Sequence, residues 1–180
     1  MRTTIRTENA ADPAEVAAIA VVHATAFDRP QHGALPAALR ATGHHRPRWC
    51  FVALDGGAVV GHVMVGTAFL ERPDGQVIEV PNLSPLAVLP SRWREGIGRA
   101  LVEAAVAAVD ADGEPFVVLE GSPAYYGRLA FEDARAHGVT LPLPDWAPPA
   151  AGQLRPLTRY RRVPGTIVYP PSVQAAFEAV

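Results

Sequence analysis

Between Arg92 and Arg99 the chain places three arginines and the pair Gly96-x-Gly98 directly ahead of an amphipathic stretch. An apolar run from Leu83 to Leu89 comes just before, so Leu83 to Val109 reads as strand, basic glycine loop and helix. The first turn of a helix leaves backbone N–H groups without partners and carries the positive end of the helix dipole. Glycines let that backbone approach a bulky anion without a Cβ in the way. Arg92, Arg94 and Arg99 add charge of the same sign. The chemistry offered is recognition of a phosphate or pyrophosphate.

Spacing narrows the ligand. A P-loop needs Gly-Lys-Ser/Thr after four residues, and the chain has no such run. A dinucleotide turn runs from strand straight into G-x-G-x-x-G, with an acid about 20 residues on. Here Leu101 stands at the third glycine, and Pro90 to Glu95 separate strand from loop, although Glu120 lies at a suitable distance. An NAD-dependent oxidoreductase is therefore the weaker reading. An ordinary glycine-capped connection between strand and helix is the bland one.

The elements that must hold this loop follow from pattern. Thr3 to Thr7 alternates and suits a first strand. Asp12-Pro13-Ala14-Glu15 opens a helix, with Asp12 as cap, Pro at the first position and Glu15 completing a capping box. A second helix spans about Ala34 to Thr42. Strands at Trp49 to Leu54 and Ala58 to Leu70 are joined by Asp55-Gly56-Gly57, and Arg72 to Gly75 turns into a strand from Val77 to Leu89. The helix after the glycines should bury Ile97, Leu101, Val102, Ala105, Val106 and Val109. Phe116 to Leu119 is a short apolar strand. Ser122 then caps a short helix carrying Tyr125 and Tyr126. A last strand pair is expected near Leu154 to Leu157 and Thr166 to Tyr169.

Composition sets bounds. At 180 residues, with 49% hydrophobic and 19% charged residues, the chain is a single globular domain by expectation. A net charge of −2 gives no electrostatic footprint for nucleic acid. No run is long enough to span a membrane, and no signal peptide is evident, so a cytoplasmic location is expected. The single Cys50 reads as a small buried hydrophobe and not a nucleophile. His44 and His45 have no partners at ligand spacing, so no metal site is indicated. His23 and His62 read as surface or satisfied core histidines.

Two segments together resemble the GNAT superfamily of N-acetyltransferases, over nearly the whole chain. Leu86-Ala-Val-Leu-Pro90 followed by Trp93-Arg-Glu-Gly-Ile-Gly98 is similar to the family's strand and acetyl-CoA loop, Gln/Arg-x-x-Gly-x-Gly/Ala. Gly121 to Phe131, with its paired tyrosines, is similar to the family's Tyr-x-x-x-Gly-Phe helix, in a form found in one bacterial branch of predicted acetyltransferases. Trp93 replaces the usual Gln or Arg, Glu95 puts an acid in the loop, and Ala130 stands where the family has glycine. The resemblance implies an α/β (α+β) fold: a mixed, mostly antiparallel central sheet flanked by helices. It makes residues 1–180 one acetyltransferase domain, with a Pro-rich loop at about 142–152.

It also implies a chemistry. Acetyl-CoA is the co-substrate, and an amine attacks its thioester directly. The backbone of Leu86, Ala87 and Val88 would pair with the pantetheine arm, and an amide there would polarise the thioester carbonyl. Arg94, Gly96, Ile97, Gly98 and Arg99 would hold the pyrophosphate. Tyr126 aligns with the tyrosine that protonates the leaving thiolate, a match of a phenol of pKa about 10 to a thiol of about 8.5. Tyr125 reads as packing. The base is open between Glu79, Glu120 and water. The acceptor is a primary amine of a small molecule or peptide, with Leu141 to Pro149 and Trp146 forming one wall of its site. Family members are often dimers, which leaves a homodimer open. A catalytically weak acyl-CoA sensor or interaction module on the same fold is the alternative function.

Overall fold

Two glycines fix the geometry of the first half of the chain. Gly56 and Gly57 have φ of 57° and 88°, the positive values that a tight two-residue hairpin turn needs at both central positions. They join β2 (Phe51–Asp55) to β3 (Ala58–Glu71), and Arg72 to Gly75 turns β3 into β4 (Val77–Val88). The computed structural model describes residues 3–180. Around that meander lie β1 (Thr4–Thr7), α1 (Pro13–Ala26), α2 (Leu35–Ala41), α3 (Ile97–Ala111), β5 (Phe116–Glu120) and α4 (Pro123–Tyr126). The remainder comprises β6 (Glu132–Asp133), β7 (Val139–Thr140), β8 (Gly152–Pro156), β9 (Gly165–Val168) and α5 (Pro171–Glu178).

All nine strands form one sheet, in the order β1-β2-β3-β4-β5-β8-β6, with β9 on the far end of β3 and β7 beside β9. Pairing is antiparallel except β4 with β5 and β7 with β9. Helices α1 and α3 cover opposite faces. A Cβ on Gly61 would touch Leu101 at 3.0 Å and Ile97 at 3.2 Å of α3, whereas the next side chain, His62, meets His23 of α1. The core face of α3 is the one its periodicity predicts: Ile97, Leu101, Val102, Ala105, Val106 and Val109 are buried.

Four details differ from the sequence expectation. Asp12 does cap α1 by accepting from Ala14, but Glu15 reaches back to the N–H of Asn9 and to Arg6 and not to Asp12. Ser122 caps α4 with its backbone carbonyl, which accepts from Tyr125 and Tyr126; its side chain makes no capping bond. β8 and β9 do not pair with each other: β8 joins β5 and β6, and β9 joins β3 and β7. The helix α5 was not anticipated; it starts at Pro171, and Pro suits a first helical position.

Candidate functional site: a forked sheet between two clefts

The site begins where two parallel strands part. β4 and β5 are in register at Asn82 and Val118, and no ladder pair joins them beyond that point among the described residues. β4 continues for six residues to Val88, held on its other edge by β3, while β5 turns into α4. Opposite Met64, Ser84 and Pro85 form a bulge that re-aims the end of β4. No strand pairs with the β5-facing edge of Leu86, Ala87 and Val88, where an added strand would lie, although the Trp93 indole N–H donates to the Val88 carbonyl.

Leu86, Ala87, Val88, Arg94, Gly96, Ile97, Gly98 and Arg99 all line one cleft of about 1320 Å³, together with Phe27, Arg92, Trp93, Tyr125 and Arg128. The loop is built to present backbone. Arg94 and Gly96 have φ of 66° and 81°, alternating left-handed residues that turn successive N–H groups inward. Gly96 caps α3 with no side-chain bond, leaving the first N–H groups of the helix unclaimed. Glu95, the acid in the loop, is held by Arg92, with Nε to its two oxygens at 3.0 and 2.9 Å, and Arg92 also pairs with Asp55 at 2.5 Å. The carboxylate is neutralised locally. Arg94, Arg99 and Arg128 supply the remaining charge, and no acidic residue lines this cleft. Arg128 was missed by the sequence reading; its place one turn beyond Tyr125 in the tyrosine helix was the available signal.

A second cleft of about 1720 Å³ lies beyond Phe27 and Leu86, which line both. Its charge is the reverse: Glu120 and Glu178 line it, with no arginine or lysine among the described residues. Pro142, Pro144 and Trp146 form part of its wall, and Trp146 is 85% exposed. Adjacent tyrosines face different clefts. Tyr125 lines the first, with its hydroxyl over Gly98, where a Cβ would lie 2.5 Å from it; Tyr126 lines the second. Tyr125 therefore borders the first cleft in addition to packing against Tyr126.

Tyr126 is fixed from both sides. Its ring stands edge-on to Phe131 at 5.6 Å and lies over Gly121, where an added Cβ would come within 2.4 Å of it. Burial raises its pKa, and Tyr125 raises it further, which keeps the phenol protonated but makes it a weaker donor to a thiolate than an ordinary tyrosine. Of the two candidate bases, Glu79 pairs with Arg46 at 2.6 Å and lines neither cleft. Glu120 lines the second cleft beside Tyr126 and accepts from the Tyr169 hydroxyl at 2.7 Å. Burial pushes its pKa up, and the Tyr169 bond only partly offsets that.

Cys50 and the buried His23–His62 pair line neither cleft. Cys50 is buried and its thiol pKa is pushed up to about 12 by desolvation. His23 and His62 are wholly buried and joined Nε2 to Nδ1 at 2.8 Å; His62 then meets Glu8 at 2.7 Å, and Arg40 closes the chain on Glu8. No helix is long and apolar enough to cross a membrane.

Comparison with known proteins agrees with this arrangement. A family model described as an acetyltransferase (GNAT) domain matches residues 8–134. An uncharacterised N-acetyltransferase, YjhQ of Escherichia coli, is 27% identical over 138 residues, covering 74% of this chain and 75% of its own. The Escherichia coli GNAT family N-acetyltransferase YhbS, solved in complex with CoA, superposes with a TM-score of 0.81 at 26% identity, over 96% of this chain and 92% of that one. A GNAT family acetyltransferase from Brucella melitensis, solved with acetyl-CoA, gives a TM-score of 0.72 at 25% identity, over 95% and 97%. With the family model spanning more than half of its length, the chain belongs to the GNAT acetyltransferase family.

Proposed function

We propose that this protein transfers an acetyl group from acetyl-CoA directly to a primary amine of a small molecule or peptide. The observation that carries the reading is the junction of the two clefts: an arginine-rich cleft ending at the open edge of β4 meets a glutamate-lined cleft beside Tyr126. CoA or acetyl-CoA is bound by the two neighbours named above. The residues here suit that molecule, with free N–H groups at α3 and arginines for its phosphates and an unpaired strand edge for its pantetheine amides.

Acetyl-CoA supplies the activated thioester. Leu86, Ala87 and Val88 orient the arm, and a backbone N–H at the fork polarises the thioester carbonyl. The acceptor nitrogen bonds to the carbonyl carbon, the C–S bond breaks, and Tyr126 gives its proton to the departing sulfur. Glu120, directly or through water, takes the proton that the amine must lose. Its raised pKa suits a base working near neutrality better than an ordinary carboxylate.

One observation favours a second reading, a CoA-binding module without turnover: the Trp93 indole occupies the Val88 carbonyl at the cofactor edge. Incubation with acetyl-CoA and a panel of primary amines separates the two. Equal amounts of free CoA thiol and acetylated amine are expected; saturable acetyl-CoA binding with no acetylated product across the panel would favour the module.

A further inference from the structure

A small, mainly apolar recess adjoins the acceptor cleft; Asn82, Ser84 and Phe177 line both. So small a space takes a group of a few atoms and not the body of a substrate.

Three neighbouring positions across the sheet make this recess. His45 bridges to Gly66 on one edge of β3, and Gly66 is in register with Asn82 of β4 on the other. Residues directly opposite in paired strands project to the same face. Strands lie about 4.8 Å apart, so the backbones of His45 and Asn82 are about 10 Å apart. Gly66 puts no side chain between them, and an added Cβ would come within 2.9 Å of the His44 carbonyl.

Both flanking side chains carry an atom with nothing to bond. Asn82 is 5% exposed, and its Oδ1 has no hydrogen-bond partner among the described residues; nor has the buried Nδ1 of His45. Thr42 and Thr67 also line the recess, and their hydroxyl protons are committed to the carbonyls of Leu39 and His44. The Thr42 oxygen already accepts from the His44 N–H, so the unfilled acceptor facing the recess is Asn82 Oδ1. A buried amide oxygen left in this state is costly, and a ligand that donates to it recovers the loss.

We propose that the Asn82–His45 recess is a specificity subsite, seating a compact hydrogen-bond donor carried by the acceptor, a hydroxyl or a second amino group. This rests on the acetyltransferase reading, since the molecule concerned is the one whose primary amine is acetylated. Asn82 sits at the vertex of the fork, and its partner Val118 is two residues before Glu120. The acceptor therefore runs from the reacting centre back into the recess, and is an amino alcohol or a diamine.

The test compares three matched acceptor series with spacers of two to six carbons: alkyl monoamines, amino alcohols and diamines. The intact protein should prefer the amino alcohol or diamine of at least one spacer over its monoamine by about tenfold or more in kcat/KM, about 1.4 kcal/mol. The series that responds identifies the group seated. In Asn82→Leu the preference should shrink to within about threefold, through the acceptor KM, and Asn82→Asp should restore it for the diamine. Acetyl-CoA titration of each variant checks that it is folded. Turnover with no preference in the intact protein, or a preference that survives in Asn82→Leu, would overturn the subsite and leave the recess to a structural water. Acetyl-CoA binding with no amine turned over would instead remove the acetyltransferase reading, and the subsite with it.

Discussion

The indole N–H of Trp93 donates to the carbonyl oxygen of Val88 at 2.7 Å, closing the phosphate loop onto the strand edge that a pantetheine arm would use. The loop pattern that this segment resembles has Gln or Arg at this position, neither of which carries an indole N–H. A cofactor amide that pairs with Val88 must displace the indole, trading one hydrogen bond for another.

Trp93→Phe keeps the ring and removes the donor. Because an ordinary hydrogen bond is worth about 0.5–1.5 kcal/mol, acetyl-CoA should bind the variant up to about tenfold more tightly by calorimetry. Binding weakened by a comparable factor would show that the indole serves the cofactor and does not compete with it.

Ala130 shows the reverse kind of departure, a family glycine replaced. Its φ of 59° is left-handed, a conformation that costs a side-chain-bearing residue about 1–2 kcal/mol. Ala130→Gly should raise stability in urea by about 0.5 kcal/mol, the relief being partly offset by greater freedom of the unfolded chain. A loss of stability would mean that the methyl group packs to more effect than the backbone is strained.

Glu120 and Tyr169 are coupled through the 2.7 Å bond between them. Burial raises the Glu120 pKa and this bond lowers it. If Glu120 takes the amine proton, kcat/KM rises with pH through its raised pKa, and Tyr169→Phe should move that rise to higher pH. Glu120→Gln should abolish it and reduce kcat/KM by about 10²–10⁴-fold. An unchanged profile in both variants would assign the proton to water.

Much of this arrangement was legible in the chain, for reasons that are local. The face of α3, the Asp55-Gly56-Gly57 turn and the loop ending at Gly98 each follow from spacing within a few residues. The eight positions named along the first cleft fall between Leu86 and Arg99, in the end of β4, the loop and the start of α3, so one strand-loop-helix unit brings them together. What escaped is non-local. The partners of β8 and β9 are decided by which sheet edges remain free, which no window of sequence contains. The row His45, Gly66, Asn82 depends on one isolated bridge, and Glu8 meets His62 across 54 residues of sequence.

That buried chain sets the acid stability. Desolvation lowers His23 to about 2 and lowers His62, while His62 and Arg40 hold Glu8 down at about 2 despite its burial. All three groups bind protons more weakly folded than unfolded, so their stabilisation is complete above the unfolded pKa and is lost as pH falls. For the histidines the loss starts near pH 6.5 and costs up to about 1.4 kcal/mol per pH unit for each; Glu8 adds to it below the ordinary glutamate value of 4.5. Tm should fall as pH drops from about 7 to about 5, and less steeply in the His23→Leu, His62→Leu double variant. Equal slopes would place the acid sensitivity elsewhere.

The central claim is that Tyr126, on the wall of the second cleft, completes acetyl transfer from acetyl-CoA to an amine. Steady-state turnover of Tyr126→Phe beside the unaltered protein tests it most directly, with product amine and free CoA both counted. The ring contacts with Gly121 and Phe131 survive the change, so acetyl-CoA affinity should hold within about threefold while kcat falls by about 10²–10⁴-fold. Undiminished kcat in the variant, or CoA released with no acetylated amine, would contradict the account.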